Sequence, residues 1–329
     1  MVTKLATYQA EGGQRRVGIV HDGNSRVFDL AAAAERAGAA GAGFASMLDL
    51  MDAGATGLES AHRLFDRLGR EEDLSASLAS VTLLAPVPRP RQMRDGMSFP
   101  THIRQGPRGA RKLAARGDAE AIARIDAEPL EPLADVYRQM PIYYITNRMI
   151  VRGPGATVRW PRYSEVMDYE LEFGVFLGRT GAGIAASAAR QHIFGFTIFN
   201  DFSARDQQMK EMAGRLGPAK GKSFDGANVI GPWIVTPDEI GDPYDLAMEA
   251  RVNGEIWSNG RTSGMLFSFE EMIAYMSQDE TMFAGEFIGS GTVGNGCGLE
   301  HGRYLQHGDR IELEVERIGV LDNTVERQG

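Results

Sequence analysis

The segment Tyr169–Leu177, YELEFGVFL, constrains the fold most, because its carboxylate and apolar side chains alternate as only a strand can use. In an extended chain Glu170 and Glu172 project from one face about 7 Å apart, while Leu171 and Phe173 turn to a core. A bare E-x-E is more often a solvated strand face. Here a second run, Ile193–Phe199, is β-branched and aromatic and leads straight into Asn200 and Asp201. A third carboxylate therefore stands at a strand end, where connecting segments present functional groups.

Three such carboxylates with open positions suit a hard cation, Mg²⁺, Mn²⁺ or Ca²⁺, held through oxygen. Arg205 and Gln208, three apart after Asp201, share a face if Ser203 and Asp206 cap a helical start. They would then offer donors to a substrate carboxylate or a developing oxyanion. A surface salt bridge is the commoner use of such an arginine. Lys222 lies in a Gly-rich loop, 217–224, expected to be flexible and able to close on a ligand. Six histidines compete for a general-base role, and spacing does not choose between His102 and His301.

Composition excludes several partners. The net charge of −9 and pI near 5.3 oppose nucleic-acid binding, which requires a cationic face. The basic stretch from Arg104 to Arg116 is too short and too mixed to reverse this. A single cysteine, Cys297, allows no intrachain disulfide and no multi-cysteine zinc site. No cationic partner for its thiol is evident, which argues against a nucleophile. No apolar run of roughly 18 residues marks a membrane span, and the start lacks a signal-like region, so a cytoplasmic location is expected.

Along the chain, two short apolar runs flank His21-Asp22-Gly23-Asn24 as a hairpin, and residues 30–53 and 58–68 have helical spacing. They form an expected small N-terminal α/β domain over 1–85, closed by the proline-rich stretch 83–90. Residues 86–329 would form the catalytic domain, with a charged helical insertion or lid at about 104–139. Asn253-Gly254 marks a tight hairpin, and Ser268 with Glu271 a capping box opening a helix to Met276. Strands are expected again over 309–315 and 318–325. Gly289-Ser-Gly-Thr-Val-Gly294 matches G-x-G-x-x-G, but the following Asn-Gly-Cys-Gly cannot open the helix a dinucleotide site needs, so a site loop is the better reading. The whole is a β-rich α+β chain.

The motifs MDYELEFG from Met167, FNDFSARDQQ from Phe199, GKSFD from Gly221 and GSGTVG from Gly289 resemble the fumarylacetoacetate hydrolase family, in consecutive order from about Pro141 to the C-terminus. The resemblance implies a mixed β-sandwich roll, usually a homodimer, and one divalent cation on Glu170, Glu172 and Asp201. Asp95 resembles the family's fourth metal ligand, His102 its catalytic histidine and Glu300 that histidine's partner. Arg205, Gln208 and Lys222 fall on oxyanion-stabilising positions and Thr292 on a substrate contact. Met97 stands where fumarylacetoacetases carry a substrate-binding tyrosine, which favours a different acylpyruvate or β-diketone, with Tyr144 as a candidate hydroxyl. The implied activity is metal-dependent hydrolysis of a carbon–carbon bond beside a ketone. The alternative is decarboxylation, isomerisation or dehydration of a 2-oxo acid such as oxaloacetate on the same scaffold. A small oxo-acid or diketone is the expected partner in either case, with no nucleic acid or membrane.

Overall fold

The computed structural model describes residues 3–10, 12–39 and 43–328. It is a strand-rich α+β fold built on two sheets. The larger sheet runs, in spatial order, through Ser75–Ser77, Arg26–Asp29, Arg15–His21, Lys4–Ala10, Asn228–Val235, Ile193–Asp201, Leu171–Leu177, Phe287–Gly289, Met93–Gly96 and Tyr143–Ile145. The smaller holds Glu255–Arg261, Ala247–Val252, Arg310–Val315, Gly319–Arg327 and Thr157–Trp160. Lys4–Ala10 pairs antiparallel with Asn228–Val235, with Leu5 opposite Ile234, so the N-terminal strands extend the central sheet without a break.

Leu171–Leu177 is buried at all seven positions because both faces of its sheet are covered. On one face Phe173, Val175 and Ile198 pack against Ile311 and Leu313 of the smaller sheet and against Phe269 of the helix Phe269–Met276. On the other, Phe287 meets Phe176 at a tilt and Phe199 edge-on, at ring separations of 5.1 and 5.2 Å, in a cluster with Phe28, Leu50 and Leu64 of the N-terminal segment. Such aromatic clusters contribute beyond their area, by about 0.5–1.5 kcal/mol per pair. Glu170 and Glu172 are consequently buried along with Leu171 and Phe173, where alternation alone leaves the carboxylate face open to water.

Local signals placed several elements correctly. Asn253 and Gly254 both take positive φ, 53° and 82°, as a tight hairpin turn requires. Ser268 and Glu271 form the reciprocal capping box, and the helix ends at Met276. The charged stretch forms the helices Pro100–Ala114 and Ala119–Ala127, the first starting four residues before the expected insertion. Ser203 and Asp206 do not cap the helix Arg205–Met212, whose N-cap position is Ala204. Asp206 instead accepts from Ser164 Oγ and from the Glu165 amide, and the Ser203 hydroxyl turns back to the Asp201 carbonyl.

Candidate metal and proton-transfer site

Strand order assembles the site. Ile193–Asp201 and Leu171–Leu177 run antiparallel with Leu171 opposite Asn200, which sets Asp201 beside Glu170 and Glu172 at one end of the sheet. Phe287–Gly289 follows, and it pairs in parallel with Met93–Gly96 so that Gly289 faces Asp95. Any Cβ at 289 would run into Asp95 Oδ1, so the glycine is what lets that carboxylate turn inward. Tyr144, opposite Asp95 on the last strand, reaches back to donate to Asp201 Oδ2 at 2.6 Å.

Asp95, Glu172 and Asp201 have carboxylate oxygens that all lie within 4.8 Å of one another, and all three residues are buried. Burial first, and then the charge of Asp201, push Asp95 well above the usual carboxylate range. Glu172 is pushed up by burial and by Asp95, Glu170 and Asp201. Burial also raises Asp201, against the pull of Lys222. Oδ1 of Asp95 and Oδ1 of Asp201 are buried without a hydrogen-bond partner among the described residues. Crowded carboxylates with idle oxygens are the donor set of a hard divalent cation, so the residues fit the metal that the sequence implies.

The loop 289–294 orients Glu172: the Gly291 amide donates to Oε2 at 3.1 Å and the Thr292 hydroxyl to Oε1 at 3.2 Å. Thr292, expected at the substrate, is thus engaged with a carboxylate of the cluster. Glu170, expected among the metal ligands, stands apart from the three-way cluster. Its Oε1 meets Arg205 Nη1 at 2.8 Å and its Oε2 meets Lys222 Nζ. Burial alone would raise Glu170, but Lys222 and Arg205 outweigh it and hold the carboxyl down to about 2.

Lys222 is buried rather than free in a flexible loop, its ammonium donating to Glu170, to Asp201 Oδ2 at 2.7 Å and to the Asp201 carbonyl. Burial opposes its charge, and Asp201 and Glu170 more than compensate. Arg205 is likewise interior, not a surface partner. Its Nε donates to Asp168 Oδ2 at 2.7 Å and its Nη1 to Gln208 Oε1 at 3.0 Å, while Nη2 has no partner among the described residues.

Asp168 is the residue that the sequence reading missed. It also accepts from the backbone amides of Gly298 and Leu299, and so ties Arg205 to the C-terminal loop. The signal was present, since Asp168, Glu170 and Glu172 continue the period of two.

The second half of the site comes from two helices. Pro100 opens the helix Pro100–Ala114 where its lacking N–H is harmless, which puts His102 in the first turn. Gly109 on the same helix lies so close to the Leu299 carbonyl that any side chain there would collide with it. This contact seats the helix on Gly298–His301, and His102 Nδ1 lies 3.4 Å from Glu300 Oε1. Burial would raise Glu300, but His102 and the Asn295 amide hold it below the ordinary range, so it remains an anion. His301 lies elsewhere, with its Nε2 on the Asn295 carbonyl. Cys297, for which the sequence offers no evident cationic partner, has its sulfur 3.9 Å from His102 Nδ1.

A strand-rich fold with a buried carboxylate cluster beside a His–Glu pair belongs to an enzyme class, and comparison with known proteins identifies it. Residues 114–326 match the family model "Fumarylacetoacetate (FAA) hydrolase C-terminal", and the chain is a member of that family. It is 34% identical over 251 residues to the oxaloacetate tautomerase FAHD2A, mitochondrial, of Bos taurus, covering 75% of this chain and 70% of that protein. It is 36% identical over 189 residues to the oxaloacetate tautomerase YisK of Bacillus subtilis, covering 56% and 61%. Among solved structures, the fumarylacetoacetate hydrolase of Exiguobacterium antarcticum superposes with a TM-score of 0.71 at 27% identity, covering 99% of this chain and 100% of that one. The 5-carboxymethyl-2-hydroxymuconate delta-isomerase of Mycobacterium smegmatis shares the fold at a TM-score of 0.66 and 23% identity, covering 99% and 100%. Among the described residues no helix is long and apolar enough to cross a membrane.

Proposed function

We propose that this chain interconverts the keto and enol forms of a small 2-oxo dicarboxylate of the oxaloacetate kind. The observation that carries this reading is a pairing of two unfilled halves. Among the described residues, Asp95 and Asp201 present idle oxygens for a cation, and Arg205 Nη2 is a buried cationic donor with no acceptor of its own. A substrate with an oxo-acid end and a second carboxylate would fill both. Relatives named oxaloacetate tautomerases favour isomerisation over the carbon–carbon hydrolysis first expected.

Asp95, Glu172 and Asp201 would hold the divalent cation, Mg²⁺, Mn²⁺ or Ca²⁺ by their all-oxygen character, with Glu170 alongside. When bound, such a cation supplies positive charge beside the oxygens of a 2-oxo acid. Within the protein, His102 faces Glu300 through Nδ1, which leaves Nε2 to accept the proton from the carbon next to the carbonyl. The C–H electron pair becomes the carbon–carbon double bond, and the former carbonyl oxygen takes a proton from the imidazolium or from water. Glu300, kept anionic, stabilises the imidazolium that forms in between. Arg205, fixed by Asp168, would orient the far carboxylate.

Hydrolysis of an acylpyruvate or β-diketone is the second reading. The same His102–Glu300 pair could draw a proton from water, and a fumarylacetoacetate hydrolase shares the architecture. Oxaloacetate and acetylpyruvate, each supplied with Mg²⁺ or Mn²⁺, separate the two readings. Tautomerisation predicts fast decay of the enol's ultraviolet absorbance with no carbon–carbon cleavage product. His102→Asn should slow that decay by about 10²–10⁴-fold while the metal-induced rise in Tm stays intact. An unchanged rate in the variant would sink the assignment of His102.

A further inference from the structure

Beside the carboxylate cluster lies a second set of metal-capable atoms of a different chemical kind. His102 Nδ1, Cys297 Sγ and a Glu300 carboxylate oxygen all lie within 4.8 Å of one another. Sulfur lies 3.9 Å from Nδ1 and 3.5 Å from Glu300 Oε2, while Nδ1 lies 3.4 Å from the other oxygen of that carboxylate, Oε1. Tetrahedral zinc with a thiolate at ~2.3 Å and nitrogen or oxygen at ~2.0 Å has ligand–ligand edges of about 3.3–3.6 Å. A rotation of the Glu300 carboxylate that brings one oxygen to both partners, with a small approach of sulfur to Nδ1, would close the triangle.

We propose that this nitrogen–sulfur–oxygen triad is an inhibitory site for a borderline-soft divalent cation of the Zn²⁺ type, which would immobilise the His102–Glu300 pair. Sulfur and imidazole are poor ligands for Mg²⁺, whereas the all-oxygen cluster favours it, so ligand chemistry keeps the two sites apart. Cys297 is fully buried and the His102 side chain is 12% exposed, and three protein ligands would leave a fourth position for water. The charge balance permits a cation: Glu300 is anionic, and the nearby guanidinium of Arg205 is already paired with Asp168 and Glu170. Zinc binding would convert the thiol to a zinc-bound thiolate and release its proton to solvent, so affinity should rise with pH. Inhibition, unlike binding, rests on the proton-transfer role of His102 proposed above.

Cys297 is the only cysteine in the chain, which makes a sulfur-specific probe unambiguous. Co²⁺ is titrated into the full-length protein with Mg²⁺ in excess at the carboxylate cluster. The expected result is a thiolate-to-cobalt charge-transfer band in the near ultraviolet that saturates at one equivalent and is displaced by Zn²⁺. No such band in the wild type overturns the site, whether or not any variant folds. For turnover, Zn²⁺ should slow the Mg²⁺-loaded wild type more than tenfold at a concentration that changes Cys297→Ser less than twofold. Equal inhibition of both overturns the proposal, because it would place the ion at the carboxylates. A band without inhibition overturns the link to turnover, and it is distinct from failure of the tautomerase reading, in which Zn²⁺-free protein shows no turnover at all.

Discussion

Lys222 Nζ lies 2.7 Å from Asp201 Oδ2 while it also donates to Glu170, so one buried ammonium joins the carboxylate cluster to the clamp around Glu170. Removing one partner of a buried ion pair costs about 3–5 kcal/mol, because the remaining charge is stranded. Lys222→Met should therefore destabilise the metal-free protein by roughly that amount in denaturant titrations. Mg²⁺ should recover part of the loss by replacing positive charge at Asp201. A variant as stable as the wild type would show that the carboxylates are not ionised together.

Glu172 should behave in the opposite way. Burial and its acidic neighbours disfavour its ionised form, so at neutral pH its charge opposes folding of the metal-free protein. Glu172→Gln is expected to raise the metal-free Tm. It should also abolish the Mg²⁺-induced rise, which for a site filled to a hundredfold over its Kd is about 2.7 kcal/mol. Scanning calorimetry with and without Mg²⁺ checks both halves, and a variant that still responds to Mg²⁺ would exclude Glu172 as a ligand.

Much of this arrangement was legible in the chain, and the limits have physical causes. Tight local chemistry, such as Asn253-Gly254 or Ser268 with Glu271, depends on residues within a turn of one another and was read correctly. Glu170 was harder. Its spacing from Glu172 shows a shared face, but whether it meets a cation from Lys222 and Arg205 depends on two chain segments more than thirty residues away. The same holds for Cys297 and His102, brought together across 195 residues by the packing of two helices. Ser203 and Asp206 failed as a cap because Ser164 and the Glu165 amide, from another strand connection, take the Asp206 carboxylate.

Gly289 offers a test of how the site is shaped. Its register opposite Asp95 leaves no room for a methyl group, which would strike Asp95 Oδ1 and press on Phe199. Gly289→Ala should turn the Asp95 carboxylate out of the cluster at an overpacking cost of about 1–3 kcal/mol. The expected signature is weaker Mg²⁺ binding in calorimetry, together with a loss of turnover that excess Mg²⁺ partly restores. Unaltered Mg²⁺ affinity would mean that Asp95 is dispensable to the cluster.

Glu211 holds the loop that delivers Lys222. Its carboxylate accepts from the amides of Ala219, Lys220 and Gly221 and from the Gln207 side chain. Burial opposes the anion, but Gln207 and those amides prevail and depress the carboxyl below its ordinary value. A depressed acid stabilises the fold above its unfolded-state value, and that contribution disappears as pH falls through the lower folded value. Amide hydrogen exchange at 219–221 should therefore lose protection below the ordinary carboxylate range while the central strands keep theirs. At neutral pH, Glu211→Ala should reproduce this loss and speed tryptic cleavage after Arg215 and Lys220, both exposed. Because Lys222 is bound by buried carboxylates in its own right, the variant should raise KM more than it lowers kcat. Exchange at 219–221 that ignores both pH and the substitution would remove Glu211 as the anchor of this loop.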